Sequence, residues 1–143
     1  MRTMSAPKTY QTTLQVRFGD VDAAGIAYYP RIYDMIHRAF ENMWGDHVGI
    51  QYYDLVKRDG VGFPLAHGEV DFRSPLRFGD RPEVTITCFK VGRASLGVHQ
   101  VFRVGDRVCV DARMTVVCVK LDGLKSTPIP DGYRVKFEEL LEA

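Results

Sequence analysis

Two carboxylates stand in a short turn directly before a long helical pattern. Asp20 and Asp22 follow a strand-like run, and small residues continue the turn through 23–25. Pro30 then suits the first position of a helix, because the N–H that proline lacks would have no partner there. A carboxylate beside a helix N-terminus can act as a base or nucleophile next to unpaired N–H groups and partial positive charge. The pattern makes this turn a candidate site, although an ordinary turn aspartate or helix cap fits it too.

The candidate turn leads into a predicted amphipathic helix that runs from Pro30 to the glycines near 45–49. Apolar residues recur at helical spacing on one side, and charged or amide side chains fill the other. The apolar stripe comprises Ile32, Ile36, Ala39 and Met43, widened by Tyr33, Phe40 and Trp44.

Five further segments have the alternation or β-branched content of strands. One long helix and one antiparallel sheet can bury each other's apolar faces if the sheet curls around the helix. The pattern therefore predicts one α+β domain over residues 1–143 with a flexible arm at 1–8, though other α+β arrangements fit the strands alone. Short helices are expected within 50–62 and after 131. Along 95–104, one register contains Leu96, Val98, Gln100 and Phe102. The predicted strands are 10–18, 65–73, 84–91, 95–104 and 107–120, and the last is expected in the sheet centre.

Composition is that of an ordinary soluble domain. The 143 residues are 45% hydrophobic and 26% charged, with a net charge of +1. No basic run predicts nucleic-acid binding, and no apolar run suits a membrane span or a signal peptide. The odd set of cysteines (Cys88, Cys109 and Cys118) has no CxxC pair, which predicts buried free thiols in a reducing, cytoplasmic compartment.

The stretch FGDVDAAGIAYYP, residues 18–30, resembles the signature of the 4-hydroxybenzoyl-CoA thioesterase family. Residues 64–80 and 84–95 also resemble this family, so the likeness spans most of the chain. The resemblance implies the hot-dog fold, with an antiparallel sheet of about five strands wrapped around one long helix. It further implies hydrolysis of an acyl-CoA to a carboxylic acid and CoA. The motif is closest to relatives that act on benzoyl or hydroxybenzoyl groups.

Within this resemblance, Asp22 matches the catalytic carboxylate and Tyr29 the residue whose backbone N–H stabilises the oxyanion. Asp22 could attack the thioester carbonyl to form an anhydride, or activate a water molecule. The amides of residues 25–27 stay open as alternative oxyanion donors. Asp20 is expected to hold the turn. No cofactor is implied, and a metal at the D-x-D pair is disfavoured because no further acidic or His ligand lies nearby in sequence.

Other residues are candidates for substrate binding or for an alternative acid. Lys90 and Arg93 stand in a K-x-G-R-x-S stretch that resembles the family region contacting the phosphates of CoA, although solvated surface charge explains them equally well. His67 is a further substrate-binding candidate on a strand. Glu41 is a weaker catalytic candidate, by analogy with a related family that uses a helix-borne Glu. Its i,i+4 spacing from His37 is more typical of a solvent-side pair.

Two other functions fit the sequence. A non-catalytic acyl-thioester binding module would have no need of a carboxylate at the helix start, and a hot-dog dehydratase or hydratase would pair an acid with a His. Short aliphatic acyl groups and an acyl carrier protein as thiol carrier also stay open. The resemblance implies a homodimer, often doubled to a homotetramer, with the site at the subunit seam. An edge strand that pairs across subunits would remove an exposed edge.

Overall fold

The computed structural model describes residues 8–142, in which a long helix packs against one face of a five-stranded antiparallel sheet. The sheet order is β1-β4-β5-β6-β3, and three short strands form a second sheet in the order β2-β7-β8. This confirms the predicted α+β architecture. Apart from Lys8, the predicted flexible arm lies outside the described residues. The strands are β1 Tyr10–Thr13, β2 Val61–Gly62, β3 Leu65–Phe72, β4 Glu83–Val91, β5 Ser95–Val104, β6 Arg107–Val117, β7 Val119–Lys120 and β8 Lys125–Ser126.

The long helix α1 covers Tyr29–Met43, so Pro30 is its second residue and not the first. A π-helical turn continues it through Trp44–Val48, and the chain leaves at Gly49 with φ +96°, a left-handed conformation that favours glycine. The predicted second helix is α2, Tyr52–Asp54, extended by a π-helical turn Leu55–Asp59, and the last is α3, Asp131–Glu139. No helix within residues 8–142 is long and apolar enough to cross a membrane.

The apolar stripe of α1 forms the centre of the core, as predicted. All four stripe residues are buried, and Met35, which the sequence pattern did not single out, is fully buried beside them. At the helix end, Trp44 packs its ring 5.1 Å from the rings of both Phe63 and Phe137. These contacts join α1 to α3 and to the segment between β2 and β3.

The first predicted strand is shorter than its alternation suggests. β1 ends at Thr13, and a 3₁₀ turn at Phe18–Asp20 leaves the Phe18 side chain 84% exposed. The turn forms because the buried Asp20 carboxylate accepts the Arg17 N–H at 2.9 Å, which bends the chain out of the strand. The prediction of a strand over residues 10–18 is therefore wrong beyond Thr13, and Phe18 lies in the turn.

The segment predicted as the longest strand is divided. β6 ends at Val117, and β7 starts two residues later in the second sheet. β6 is interior, but the middle strand is β5, which stands third in the order β1-β4-β5-β6-β3.

The three cysteines are buried and free, as predicted. Burial raises the pKa of Cys88 to about 12 and also raises the pKa of Cys118. Because the thiolate is the reactive form, these thiols are inert structural residues.

Candidate active site

The Asp22 carboxylate is exposed in the turn before α1, and its two oxygens have different surroundings. Oδ1 accepts the N–H of Ala24 at 2.9 Å and that of Ile26 at 3.4 Å. The Asp22 N–H donates in turn to the Ile26 carbonyl at 3.0 Å. Among residues 8–142, nothing donates to Oδ2. One oxygen is thus held by the turn, and the other is free to react.

The cleft around Asp22 is apolar apart from the carboxylate. It encloses about 490 Å³, and its walls include Phe18, Val21 and Phe78. The two phenyl side chains are 84% and 60% exposed. Exposed aromatic surface beside a carboxylate is typical of a place where a ligand or another subunit binds.

Backbone hydrogen bonds attach this turn to the segment that precedes β4. Ala27 N–H donates to the Leu76 carbonyl at 2.8 Å, and Phe78 N–H donates to the Gly25 carbonyl at 3.0 Å. Asp20 supports the turn from within: it is 3% exposed, and its Oδ1 lies 3.8 Å from Arg38 Nη2. This is the structural position predicted for Asp20.

The first turn of α1 contains one unpaired N–H. Arg31 and Ile32 both donate to the Tyr28 carbonyl, at 2.9 and 3.3 Å, and Pro30 has no N–H. Within residues 8–142, the Tyr29 amide has no acceptor. An unpaired donor at the positive end of a helix is suited to stabilising a developing oxyanion.

The alternative donors are already engaged. Gly25 N–H donates to the Asp22 carbonyl at 2.9 Å, Ile26 N–H contacts Asp22 Oδ1, and Ala27 N–H donates to the Leu76 carbonyl. Of the amides considered from the sequence, only that of Tyr29 is unpaired.

Asp22 and Tyr29 lie at the same end of α1 but line different clefts. Tyr29 borders a neighbouring cleft of about 340 Å³ together with Ile32 and Phe72. A single protomer therefore does not enclose both groups in one pocket.

A third cavity, of about 330 Å³, lies between α1 and the sheet. Its one buried polar side chain is Gln100, 1% exposed, whose Nε2 donates to the Ile36 carbonyl at 3.0 Å. Gln100 Oε1 has no donor in the described chain. Leaving such an oxygen unpaired costs about 1–3 kcal/mol. The signal for Gln100 in the sequence is a polar residue in an otherwise apolar strand register. The other lining residues are Tyr33, Ile36, His37, Phe40, Tyr52, Phe63, Pro64, Leu65, Val98, Met114 and Val116.

Lys90 and Arg93 are exposed at the turn between β4 and β5. Neither has a carboxylate within 4.0 Å in the part of the chain that the structure describes. The turn itself is held by α3, because Arg134 Nη2 donates to the carbonyls of Gly92 and Arg93 at 2.8 and 2.9 Å. These two cations are therefore free to bind an anion.

The Lys90–Arg93 turn lies at the opposite end of the sheet from Asp22. The Asp22 turn is bonded to residues 76–78, just before β4, whereas Lys90 and Arg93 stand at its far end. The nine residues of β4 span roughly 30 Å at the usual strand rise. One protomer thus does not bring the predicted catalytic and phosphate-binding residues together.

The remaining candidates lie on the surface. His67 is 68% exposed on β3, 3.5 Å from Glu69. His37 and Glu41 are 3.9 Å apart, and about half of each side chain is exposed, as in a solvent-side pair.

A second cationic surface lies close to the Asp22 turn. Arg17, Arg38 and Arg81 border one polar cleft of about 520 Å³. Arg38 pairs with Asp34 at 2.9 Å, whereas Arg17 and Arg81 have no carboxylate within 4.0 Å among residues 8–142. No sequence signal groups these arginines, because they are far apart in the chain.

A known protein family matches nearly the whole chain. The model of the thioesterase-like superfamily aligns with residues 16–141, which include the Asp22 turn, α1 and four of the five strands of the main sheet, β3 to β6. The chain belongs to the thioesterase-like superfamily. The resemblance seen in the sequence is thereby confirmed at the level of the superfamily, and the narrower 4-hydroxybenzoyl-CoA branch stays a prediction.

Two named proteins are similar to this chain over most of their length. The 1,4-dihydroxy-2-naphthoyl-CoA hydrolase of Thermosynechococcus vestitus is 31% identical over 126 residues, covering 87% of this chain and 84% of the relative. The enzyme of the same name from Synechococcus elongatus is 28% identical over 123 residues, covering 85% and 90%.

Solved structures of superfamily members have the same fold. A thioesterase superfamily protein from Jannaschia sp. CCS1 superposes with a TM-score of 0.88 at 24% identity and full coverage of both chains. A gentisyl-coenzyme A thioesterase superposes with a TM-score of 0.78 at 28% identity, covering 91% of this chain and 99% of the other. The hot-dog arrangement is confirmed, and this superfamily member is a thioester hydrolase.

Proposed function

We propose that this thioester hydrolase acts on acyl-CoA thioesters with an aromatic acyl group, releasing the carboxylic acid and CoA. The observation that carries the proposal is the free Oδ2 of Asp22 at the same end of α1 as the unpaired Tyr29 amide. The similar proteins named above act on 1,4-dihydroxy-2-naphthoyl-CoA and gentisyl-coenzyme A, and the motif at 18–30 favours a benzoyl or 4-hydroxybenzoyl group. Both support an aromatic substrate.

Asp22 Oδ2 is the reacting atom in either of two routes. In the first, it attacks the thioester carbonyl carbon, the C–S bond breaks with the sulfur taking the electron pair, and water opens the resulting anhydride. In the second, it takes a proton from a water molecule that attacks the same carbon, and that proton passes to the leaving sulfur. Both routes place negative charge on the carbonyl oxygen. The Tyr29 N–H and the positive end of α1 stabilise that charge.

We infer that the complete site lies between two subunits of a homodimer, which could double to a homotetramer. Two observations support this: Asp22 and Tyr29 line separate clefts, and Lys90 and Arg93 lie at the far end of the sheet. A second copy that pairs through the exposed edge strand β3 would supply the missing walls and cations.

Lys90 and Arg93 are the proposed contacts of the CoA phosphates, with His67 as a further substrate contact. Unpaired cations are suited to this because a phosphate then displaces only water. The cleft bordered by Arg17, Arg38 and Arg81 is the competing position. We place the protein in the cytoplasm, because three buried free thiols suit a reducing compartment.

A thiol-release assay tests the proposed function. The panel contains benzoyl-CoA, hydroxybenzoyl-CoA, naphthoyl-CoA, short aliphatic acyl-CoAs, an enoyl-CoA and a benzoyl-acyl carrier protein, with Asp22→Asn protein as the blank. We expect fastest release from an aromatic acyl-CoA, with one equivalent of acid formed per thiol. If thiol is released only from the benzoyl-acyl carrier protein, the substrate is an acyl carrier protein thioester and not an acyl-CoA. Hydration of an enoyl-CoA without any thiol release would replace the proposal with the hydratase alternative.

A further inference from the structure

Gln100 is an unusual residue in the core of this protein. Among residues 8–142, it and Asp20 are the only buried polar or charged side chains. Asp20 is satisfied by the turn that it holds, whereas Gln100 stands in a helix-facing register between Val98 and Phe102 on β5. A buried amide in such a position needs an explanation.

The orientation of the Gln100 amide follows from its neighbour. The Ile36 carbonyl can only accept, so the amide nitrogen must face it, at 3.0 Å. Oε1 is then left without a donor in the described chain. The contact to Ile36 thus pairs the amide nitrogen and leaves the amide oxygen without a hydrogen bond in the described chain.

The cavity beside Gln100 has the composition of a ligand site. Its walls are mostly aromatic and aliphatic, and the hydroxyl of the partly buried Tyr52 already accepts the Phe63 N–H at 2.8 Å. Apolar cavities with one or two placed polar groups are typical of small-molecule binding, in which the polar group selects the ligand.

The cavity also lies next to the proposed reaction centre. Tyr33 borders it one helical turn after Tyr29, and the Tyr33 ring contacts that of Phe72, a wall of the Tyr29 cleft, at 6.5 Å between centroids. From Tyr29 to Ile36 the helix rises about 10 Å. A ring-sized acyl group held at the Tyr29 amide would therefore extend toward this cavity.

We propose that Gln100 is a specificity-determining residue whose Oε1 accepts a hydrogen bond from an O–H or N–H at the far end of the bound acyl group. This rests on the proposed acyl-CoA thioesterase function. An acyl group with the donor satisfies the oxygen. An acyl group that lacks the donor, or that has a methyl ether in place of the hydroxyl, leaves the buried Oε1 unpaired and is rejected.

Binding of substrate analogues to the wild-type protein tests the proposal directly. Phenacyl-CoA carries a methylene between sulfur and carbonyl, so it is not hydrolysed. Calorimetry would compare the parent with its 2-, 3- and 4-hydroxy derivatives and the matching methoxy derivatives. We expect one hydroxy isomer to bind at least tenfold more tightly than the parent and its own methoxy counterpart. If no hydroxy isomer binds more tightly than both, the proposal is overturned.

Two variants test whether Gln100 is responsible for the preference for a hydroxy isomer. Gln100→Met keeps the side-chain length and removes the acceptor, so the preference for the hydroxy isomer should disappear while parent binding is kept. Met114→Leu alters the same cavity without changing polarity and should retain the preference. Thermal unfolding confirms that both are folded; if Gln100→Met is not, the wild-type panel decides. Hydrolysis without a hydroxyl preference contradicts only this inference, and a preference without hydrolysis contradicts only the proposed function.

Discussion

At Asp22, the turn uses one carboxylate oxygen and leaves the other free. The hydrogen bonds from Ala24 and Ile26 hold Oδ1, so the side chain is oriented before any substrate binds. Such preorganisation lowers the entropy that must be lost to reach the reacting geometry. A substitution that keeps the shape but removes the charge therefore separates the chemistry from the fold.

Asp22→Asn should lower kcat by at least about 10²-fold and preserve the structure. The Asn oxygen still accepts the two backbone N–H groups, but a neutral amide neither attacks a thioester nor removes a proton from water. Loss of a general base costs about 10²–10⁴ in rate, and loss of a nucleophile can cost more. Because the interaction forms in the transition state, kcat should fall while analogue binding survives. Steady-state kinetics on the best acyl-CoA measures this.

Asp20→Asn is the matched control. Asp20 is buried and its Oδ1 lies 3.8 Å from Arg38 Nη2, so a neutral amide in its place should lower the melting temperature with a far smaller fall in kcat. Near wild-type kcat in a folded Asp22→Asn protein would contradict the assignment and shift attention to Glu41.

Lys90→Ala/Arg93→Ala should raise KM and leave kcat nearly unchanged. Phosphate contacts lie far from the reacting carbonyl and change little in the transition state. Because exposed charges are screened, we expect roughly 1 kcal/mol per residue, a rise of about fivefold each. An equivalent double change at exposed cations elsewhere, Arg103→Ala/Lys125→Ala, controls for net charge.

A third double variant identifies where the phosphates dock. If Arg17→Ala/Arg81→Ala raises KM and the Lys90/Arg93 variant does not, the arginine cleft binds the phosphates. The proposed role of Lys90 and Arg93 would then be wrong.

At the scale of elements, a chain of ion pairs crosses the sheet on the face opposite α1. Arg73 lies 3.4 Å from Asp111, and Asp111 lies 2.8 Å from His99 Nε2. His99 Nδ1 lies 2.7 Å from Glu142, which also accepts the Thr87 hydroxyl at 2.7 Å. These contacts link β3, β6, β5 and β4 to the segment after α3.

The same segment is bonded to β4 through its backbone. Cys88 N–H donates to the Leu140 carbonyl at 2.8 Å, and Glu142 N–H donates to the Cys88 carbonyl at 2.7 Å. Glu142 therefore fastens the segment after α3 to the sheet by both backbone and side chain.

The stability of this attachment should depend on acid pH. Burial alone would raise the pKa of Glu142, but hydrogen bonds from Thr87 and His99 and the charges of His99 and Arg113 lower it below its ordinary 4.5. A lowered folded-state pKa stabilises the fold above the unfolded value, and this stabilisation is lost as pH falls through the folded value. Glu142→Gln should thus lower the free energy of unfolding by about 1 kcal/mol at pH 7. It should leave that free energy unchanged at a pH below the folded-state pKa of Glu142.

Urea unfolding at neutral and acid pH measures this difference. Glu138→Gln is the control, because Glu138 is exposed and has no cation within 4.0 Å in the described chain. If Glu142→Gln lowers the free energy of unfolding equally at every pH, the effect comes from packing and not from charge.

At the scale of the whole molecule, β3 is an edge with unpaired backbone groups. Arg73 N–H donates to the Cys109 carbonyl, and Asp71 pairs with Asp111, so these alternate positions bond to β6. In an antiparallel ladder, the residues between them point their N–H and C=O groups away. The open edge, where a second copy can pair, therefore carries the backbone N–H and C=O groups of Gly68, Val70 and Phe72.

Val70→Pro should convert the proposed homodimer to a monomer. Proline removes an N–H that makes no bond within the protomer, so it leaves the β6 ladder intact and deletes a contact between subunits. Light scattering measures the mass, and activity should fall with the dimer. Val70→Thr keeps both the shape and the N–H and should remain dimeric. A wild-type protein that is an active monomer at assay concentration would rule out the shared site.

Local patterns in the sequence predicted much of this architecture. The stripe of α1, its start near Pro30 and the position of Asp22 follow from helical spacing and turn chemistry, which depend on neighbours in the chain. The family motif added the roles of Asp22 and Tyr29, which stay proposals. The exposure of Phe18 was not predictable from alternation, because the Asp20–Arg17 contact overrides it.

The sequence by itself thus determined the fold class, the central helix and the carboxylate at its start. Only the tertiary structure decided that Lys90 lies a sheet length from Asp22 and that, within residues 8–142, the Tyr29 amide is unpaired and Gln100 Oε1 has no donor. The physical reason is that helical spacing and turns arise from residues a few positions apart. Whether a buried polar atom has a partner depends on strand register and on side chains that are distant in the chain.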